Sequence, residues 1–241
     1  MAEKFALVTG ASAGIGAATV RALVADGWTV HMTARRADRL EALAAETGAV
    51  AHVIDAGDAA AMSGLVTEMP FDLIVANAGK GRAMTSIAGI DAQEIEDVIH
   101  LNVTALLQLV AAALPGMQER RRGHIVTIGS VAGLYPTGST LYGASKHAVR
   151  GVVRNLRVEN IGNGVRFTDI QPGRVTTEFY DVAVDDLEQR AAITDTSIDE
   201  LTPENVAEAI RWVAAQPAHV NITALEIAPT EQAYGGVKFP S

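Results

Sequence analysis

The chain has 241 residues, no cysteine and a formal net charge of −9 at pH 7. The acidic balance argues against a general nucleic-acid-binding role, and the lack of cysteine excludes disulfides and thiolate catalysis. No charged-then-apolar leader precedes the first apolar run, and no stretch of about 18 apolar residues occurs, so neither a signal peptide nor a membrane span is expected, and a cytoplasmic location is.

Apolar runs predict strands over about 5–9, 28–33, 50–54, 71–76, 123–128, 164–170 and 222–227. Between them, 3.6-residue periodicity predicts helices over about 15–26, 37–47, 58–68, 92–120, 140–160 and 203–215. Most strands are continuous Val/Ile/Leu runs, which suit a parallel sheet buried between helix layers. Strands alternate with helices and no Pro/Gly/Ser-rich linker interrupts them. The expected architecture is one α/β domain, 1–241, with a segment over about 178–200 closing over a site and an irregular tail over about 229–241. The six histidines are scattered without metal-ligand spacing, and no metal site is expected.

The first strand runs into Gly10-Ala11-Ser12-Ala13-Gly14-Ile15-Gly16 and then into a helix that stops at Gly27. Strand, glycine turn and helix form the setting of a dinucleotide-binding fingerprint. Glycines let the backbone approach a pyrophosphate, and the free amides at the helix start favour its charge. The same residues match a Gly-x-Ser-x-Gly nucleophile elbow, but that motif leaves Gly16 unexplained and has no oxyanion segment in this chain.

Tyr142 and Lys146 stand at i and i+4, on one face of a predicted helix. An ammonium about 4 Å away at an effective dielectric of about 20 contributes about 4 kcal/mol, enough to bring a phenol toward neutrality. Such a phenol suits general acid–base work on an alcohol or carbonyl.

With Thr9-Gly10-x-x-x-Gly14-Ile15-Gly16, Asn77-Ala78-Gly79, Asn102, Ser130 and Tyr142-x-x-x-Lys146 in this order, the chain resembles the short-chain dehydrogenase/reductase family over essentially its whole length. The resemblance implies a Rossmann-like, doubly wound, parallel seven-stranded sheet with helices on both faces. It implies Tyr142 as acid/base and Lys146 as the group that lowers its pKa and holds the nicotinamide ribose. Ser130 would bind the reacting oxygen, and Asn102 would hold a helix kink and a water of a proton relay. Asn77 and Gly79 would end the fourth strand beside the cofactor. Gly10, Ser12, Gly14, Ile15 and Gly16 would cradle it. Pro172, Gly173, Val175 and Thr177 would grip the carboxamide, and Asp55 would reach the adenine. Two departures stand out: Ala76 replaces a usual Asn, and the Ser130–Tyr142 spacing is one residue short.

The second strand ends in Thr33-Ala34-Arg35-Arg36, with no acid before Asp38. A carboxylate there would bind the ribose hydroxyl of NAD; two guanidiniums suit the 2′-phosphate of NADP. Ile128-Gly129-Ser130, Val165 to Gly173 and Pro217 to Pro229 resemble the NADP-dependent 3-hydroxy acid branch, which includes serine and allo-threonine dehydrogenases. Lys80, Arg82 and Arg174 follow cofactor-side motifs and are candidates to hold a substrate anion, with Ser130 and Tyr180 as further contacts. The expected function is NADP-dependent interconversion of alcohol and carbonyl on a small anionic substrate. The alternatives are a broad ketone/aldehyde reductase and a non-catalytic NADP sensor. A homotetramer is expected from apolar faces on helices 92–120 (Leu101, Leu106, Leu107, Val110) and 140–160 (Val149, Val152, Val153, Leu156).

Overall fold

A computed structural model describes residues 3–81, 87–184, 186–196 and 198–233. Seven strands form one parallel sheet in the order β3-β2-β1-β4-β5-β6-β7. They span Phe5–Thr9 (β1), Thr29–Ala34 (β2), Val50–Val53 (β3), Leu73–Ala76 (β4), Gly123–Ile128 (β5), Val165–Pro172 (β6) and Ala224–Ile227 (β7). The helices are Gly14–Ala25 (α1), Ala37–Thr47 (α2), Ala59–Glu68 (α3), Ala92–Ile99 (α4), Ala105–Arg120 (α5), Thr140–Glu159 (α6), Phe179–Ala183 (α7), Leu187–Thr194 (α8) and Pro203–Ala214 (α9).

The two-residue period of each strand sorts its side chains into two cores. Ala6, Val8, Val75, Val126 and Ile170 face one layer with Val20 and Leu23 of α1, Leu40 of α2 and Ile210 of α9. Leu7, Ile74, Ile125 and Phe167 face the other, with Leu65 of α3, Leu109 and Met117 of α5 and Val153 of α6. Strand order reverses between β1 and β4, the place where doubly wound sheets bind ligands beyond the carboxyl ends of their strands. Gly10, Asn77, Ser130 and Gly173 follow the ends of β1, β4, β5 and β6 and so share that edge.

Three expectations change. The predicted helix 92–120 is α4 and α5 joined through a π-helical turn, His100–Thr104, because Asn102 there is drawn into side-chain bonds described below. By length and hydropathy the run Ala92–Arg120 would also pass for a membrane span, contrary to the sequence reading. It is a core helix: Leu106, Leu109, Val110, Ala113 and Met117 pack under the sheet. The same packing removes most of the apolar surplus read as a subunit interface. Leu106, Val110, Val149, Val153 and Leu156 are buried in this chain's own core, and of the named residues only Leu107 stays exposed, at 45%.

Candidate active site

The glycine turn is locked to the end of β4. Thr9 Oγ1 accepts from the Asn77 and Ala78 amides at 3.1 and 3.0 Å. Asn77 Nδ2 donates back to the Thr9 and Gly10 carbonyls at 2.9 and 3.1 Å. Gly10 has φ +66°, and a Cβ there would lie 2.9 Å from Ala78 Cα, so both the conformation and the approach require glycine. Gly16 packs on Asn77 Nδ2 and the Gly10 carbonyl, which lets α1 begin against the turn. No side chain caps α1 at Ala13, so its first amides remain for an anion. Thr177 rests its methyl near Gly14, bringing the segment after β6 onto the same turn. This cradle fits a dinucleotide pyrophosphate. It does not fit a nucleophile elbow: Ser12 Oγ accepts from Arg36 Nε at 3.0 Å, a cation rather than a base.

The two arginines after β2 diverge. Arg36 also donates from Nη1 to Glu178 at 2.9 Å, and Arg39, which the sequence reading did not single out, donates to the other oxygen of Glu178 at 2.6 Å. Arg35 is 76% exposed and lies 3.7 Å from Asp55. Asp55 accepts from the Gly57 amide at 2.9 Å.

At the centre of the edge, Ser130 lies close enough to the Tyr142 hydroxyl to favour the phenolate, despite the shortened loop between them. Ser130 Oγ accepts from the Ala132 amide at 3.1 Å, which fixes its rotamer. Lys146, 8% exposed, lies one turn along α6, with Nζ 5.7 Å from the Tyr142 ring centre. Lys146 Nζ donates to the Ile128 carbonyl at 2.6 Å. Burial pushes its pKa down to about 8, against the opposing charge of Asp169. Asp169 is itself buried; Thr127 and Gln171 donate to it at 2.9 and 2.7 Å. Burial raises the Tyr142 phenol well above its ordinary value, with Tyr180 adding to the rise and Ser130 opposing it. The expected depression of Tyr142 by Lys146 is therefore not seen. Desolvation outweighs it, and the ammonium is aimed at a carbonyl instead.

Asn102 acts as a clamp. Its Oδ1 accepts from the Lys80 amide at 2.7 Å, and its Nδ2 donates to the Lys80 carbonyl at 2.9 Å and to Ser145 Oγ at 3.0 Å. It thereby ties the loop after β4 to α6. A cavity of about 20 Å³ lies between Asn102, Lys146, Ile128 and Thr9.

Of the cations read as a substrate rim, the two described ones are already paired. Lys80 Nζ is 2.7 Å from Asp97, and Arg174 Nε is 2.6 Å from Glu200, with both groups of the second pair nearly buried. Arg174 also donates to the Tyr180 hydroxyl at 3.2 Å and stacks on its ring. Arg82 lies outside the described residues. Phe179, from the segment after β6, packs against Gly81 and lies 5.4 Å from the Tyr142 ring, covering the phenol. Val175 bridges to Leu201, and the Gly173 amide donates to Ile227 at 2.7 Å, so Pro172–Thr177 is held at the strand ends.

Glu178, Arg39, Asp169 and Glu200 were not read as site residues. Each partners a charged or hydroxyl group distant in sequence, and no local motif signals that pairing.

Residues 4–188 match the model of the short chain dehydrogenase family. The chain is 40% identical over 240 residues to NADP-dependent 3-hydroxy acid dehydrogenase YdfG of Escherichia coli strain K12, covering 96% of this chain and 97% of that protein. It is 36% identical over 238 residues to serine 3-dehydrogenase of Agrobacterium fabrum, covering 95% of each. Among solved structures, the closed form of serine dehydrogenase complexed with NADP+ superposes with a TM-score of 0.91 at 38% identity, covering 98% of this chain and 99% of that one. With the glycine turn, the Ser130–Tyr142 pair and the buried Lys146 all at one sheet edge, these matches place the chain in the short-chain dehydrogenase/reductase family.

Proposed function

We propose that this protein is an NADP-dependent dehydrogenase interconverting a secondary alcohol and its carbonyl on a small 3-hydroxy acid or β-hydroxy amino acid. The observation that carries the reaction is the Tyr142–Ser130 hydroxyl pair beside buried Lys146, next to a glycine cradle for the cofactor. A bound nicotinamide would supply or accept the hydride. In the reducing direction Ser130 donates a hydrogen bond to the carbonyl oxygen and Tyr142, protonated at neutral pH, transfers its Oη proton to that oxygen. Lys146, with Nζ 5.7 Å from the Tyr142 ring centre, is the cation nearest the phenolate left behind, and it must turn from the Ile128 carbonyl to stabilise it. The cavity beside Asn102 and Lys146 is large enough for one water, which fits a route for reprotonation. Retention of all these groups disfavours a non-catalytic sensor. Arg36 is the best-placed cation for the 2′-phosphate, because it alone of the expected pair reaches back to the glycine turn at Ser12.

Residues 178–200 form the lid in this reading, with Phe179 and Tyr180 facing the substrate, and close over the site to exclude water. A homotetramer remains our reading of the assembly. The exposed Leu107 and Trp212 support it, and light scattering tests it. The cysteine-free composition fits a cytoplasmic location.

A second reading, a reductase of neutral ketones, is favoured by one observation: Lys80 and Arg174 are already neutralised by Asp97 and Glu200. The two readings part on a panel of 3-hydroxy acids and their methyl esters with NADP+, followed at the NADPH absorbance. The acids should be turned over at least about tenfold better, as expected for one charged contact. Equal rates would favour the neutral-substrate reductase.

A further inference from the structure

Glu178 makes the only contact in the fold that draws Arg36 and Arg39 onto one carboxylate, among the described residues. Each carboxylate oxygen takes one guanidinium, at 2.9 and 2.6 Å, and the two arginines lower the Glu178 pKa from its ordinary value. This is how a phosphate is bound by an arginine pair. Arg36 is at the same time anchored to Ser12 in the glycine turn, so the carboxylate sits at the rim of the cofactor cradle. Glu178 also stands directly before α7. Its neighbours in sequence are Thr177, on Gly14, and Phe179, on Tyr142.

Resting on the NADP reading above, we infer that Glu178 is an internal rival of the cofactor's 2′-phosphate. Its carboxylate holds the guanidiniums that the phosphate takes, so Glu178 weakens binding of the phosphorylated cofactor and ties occupation of that site to the segment carrying Phe179. A phosphate arriving at Arg36 and Arg39 must displace the carboxylate. The freed Glu178 then no longer tethers the start of α7 to α2. A cofactor without the 2′-phosphate leaves the tether in place. Glu178 therefore lowers the preference for the phosphorylated cofactor, although it lies 142 residues along the chain from Arg36.

The test uses the full-length protein without cofactor and two fragments, adenosine 2′,5′-bisphosphate and adenosine 5′-monophosphate, with binding read by titration calorimetry. Removing the charge with Glu178→Gln should tighten the bisphosphate about threefold to tenfold, the size expected for loss of competition from half-exposed ion pairs, and leave the monophosphate unchanged. In the Arg36→Ala, Arg39→Ala background the same substitution should change neither ligand. Bisphosphate binding that is unchanged or weaker in Glu178→Gln overturns the inference. So does an equal gain for both fragments, which would mark a general charge effect. If the native protein does not prefer the bisphosphate at all, the assignment of the 2′-phosphate to Arg36 falls, and this inference with it. A native preference that Glu178→Gln leaves untouched removes the inference alone.

Discussion

Asn102→Ala separates a structural clamp from a purely catalytic residue. The side chain is 5% exposed and makes three hydrogen bonds, two to the Lys80 backbone and one to Ser145. At about 1 kcal/mol net for each, the substitution should cost about 3 kcal/mol. Ser145 is not orphaned, because its hydroxyl still donates to the Tyr142 carbonyl at 2.8 Å. The Lys80 amide and carbonyl do lose their partner, and their loop is partly buried, so water compensates only in part. For a domain of this size about 3 kcal/mol corresponds to a fall in Tm of roughly 6–12 °C. Urea unfolding should show a lower midpoint with an unchanged slope, since the surface exposed on unfolding is the same. Turnover should fall as well, because Gly79, next to Lys80, borders Lys146. A loss of stability below about 1 kcal/mol with a large loss of turnover would refute the clamp and leave Asn102 with a role in proton relay alone.

Two further predictions concern the catalytic centre. Tyr142→Phe should keep cofactor binding and lose about 10²-fold or more in turnover, and a variant retaining more than about a tenth of native activity would exclude Tyr142 as the acid/base. Lys146 releases its proton at about 8 in the folded protein and at its ordinary 10.5 when unfolded. Between those values the unfolded chain binds more protons, so folding stability should rise with pH from about 8 to 10 as the cost of a buried ammonium is relieved. The rise should vanish in Lys146→Met; an identical pH dependence in native and variant protein, read by chemical unfolding, would contradict the burial argument.

Much of this protein was legible in local sequence. Continuous apolar runs separated by amphipathic stretches determined a buried parallel sheet, because such strands have no solvent face to mark. Gly10, Gly14 and Gly16 determined the tight turn between β1 and α1, since their spacing answers to backbone approach within one turn. Tyr142 and Lys146 were visible because one helix face joins them, and Ser130 through the family resemblance. What the tertiary structure decided are effects that depend on partners far along the chain. Burial, not sequence spacing, sets the Tyr142 phenol above its ordinary value and Lys146 below, since desolvation comes from every element packed around them. Pairing with Asp97 and Glu200 turns Lys80 and Arg174 from a bare cationic rim into neutralised groups. The π-turn at Asn102 needs the Lys80 loop to bond to, and the apolar faces of α5 and α6 are spent in this chain's own core because α3 and the sheet lie against them. A residue's type and its near neighbours fix what it can do; its charge state, partner and exposure arise only when the sheet edge brings distant segments together.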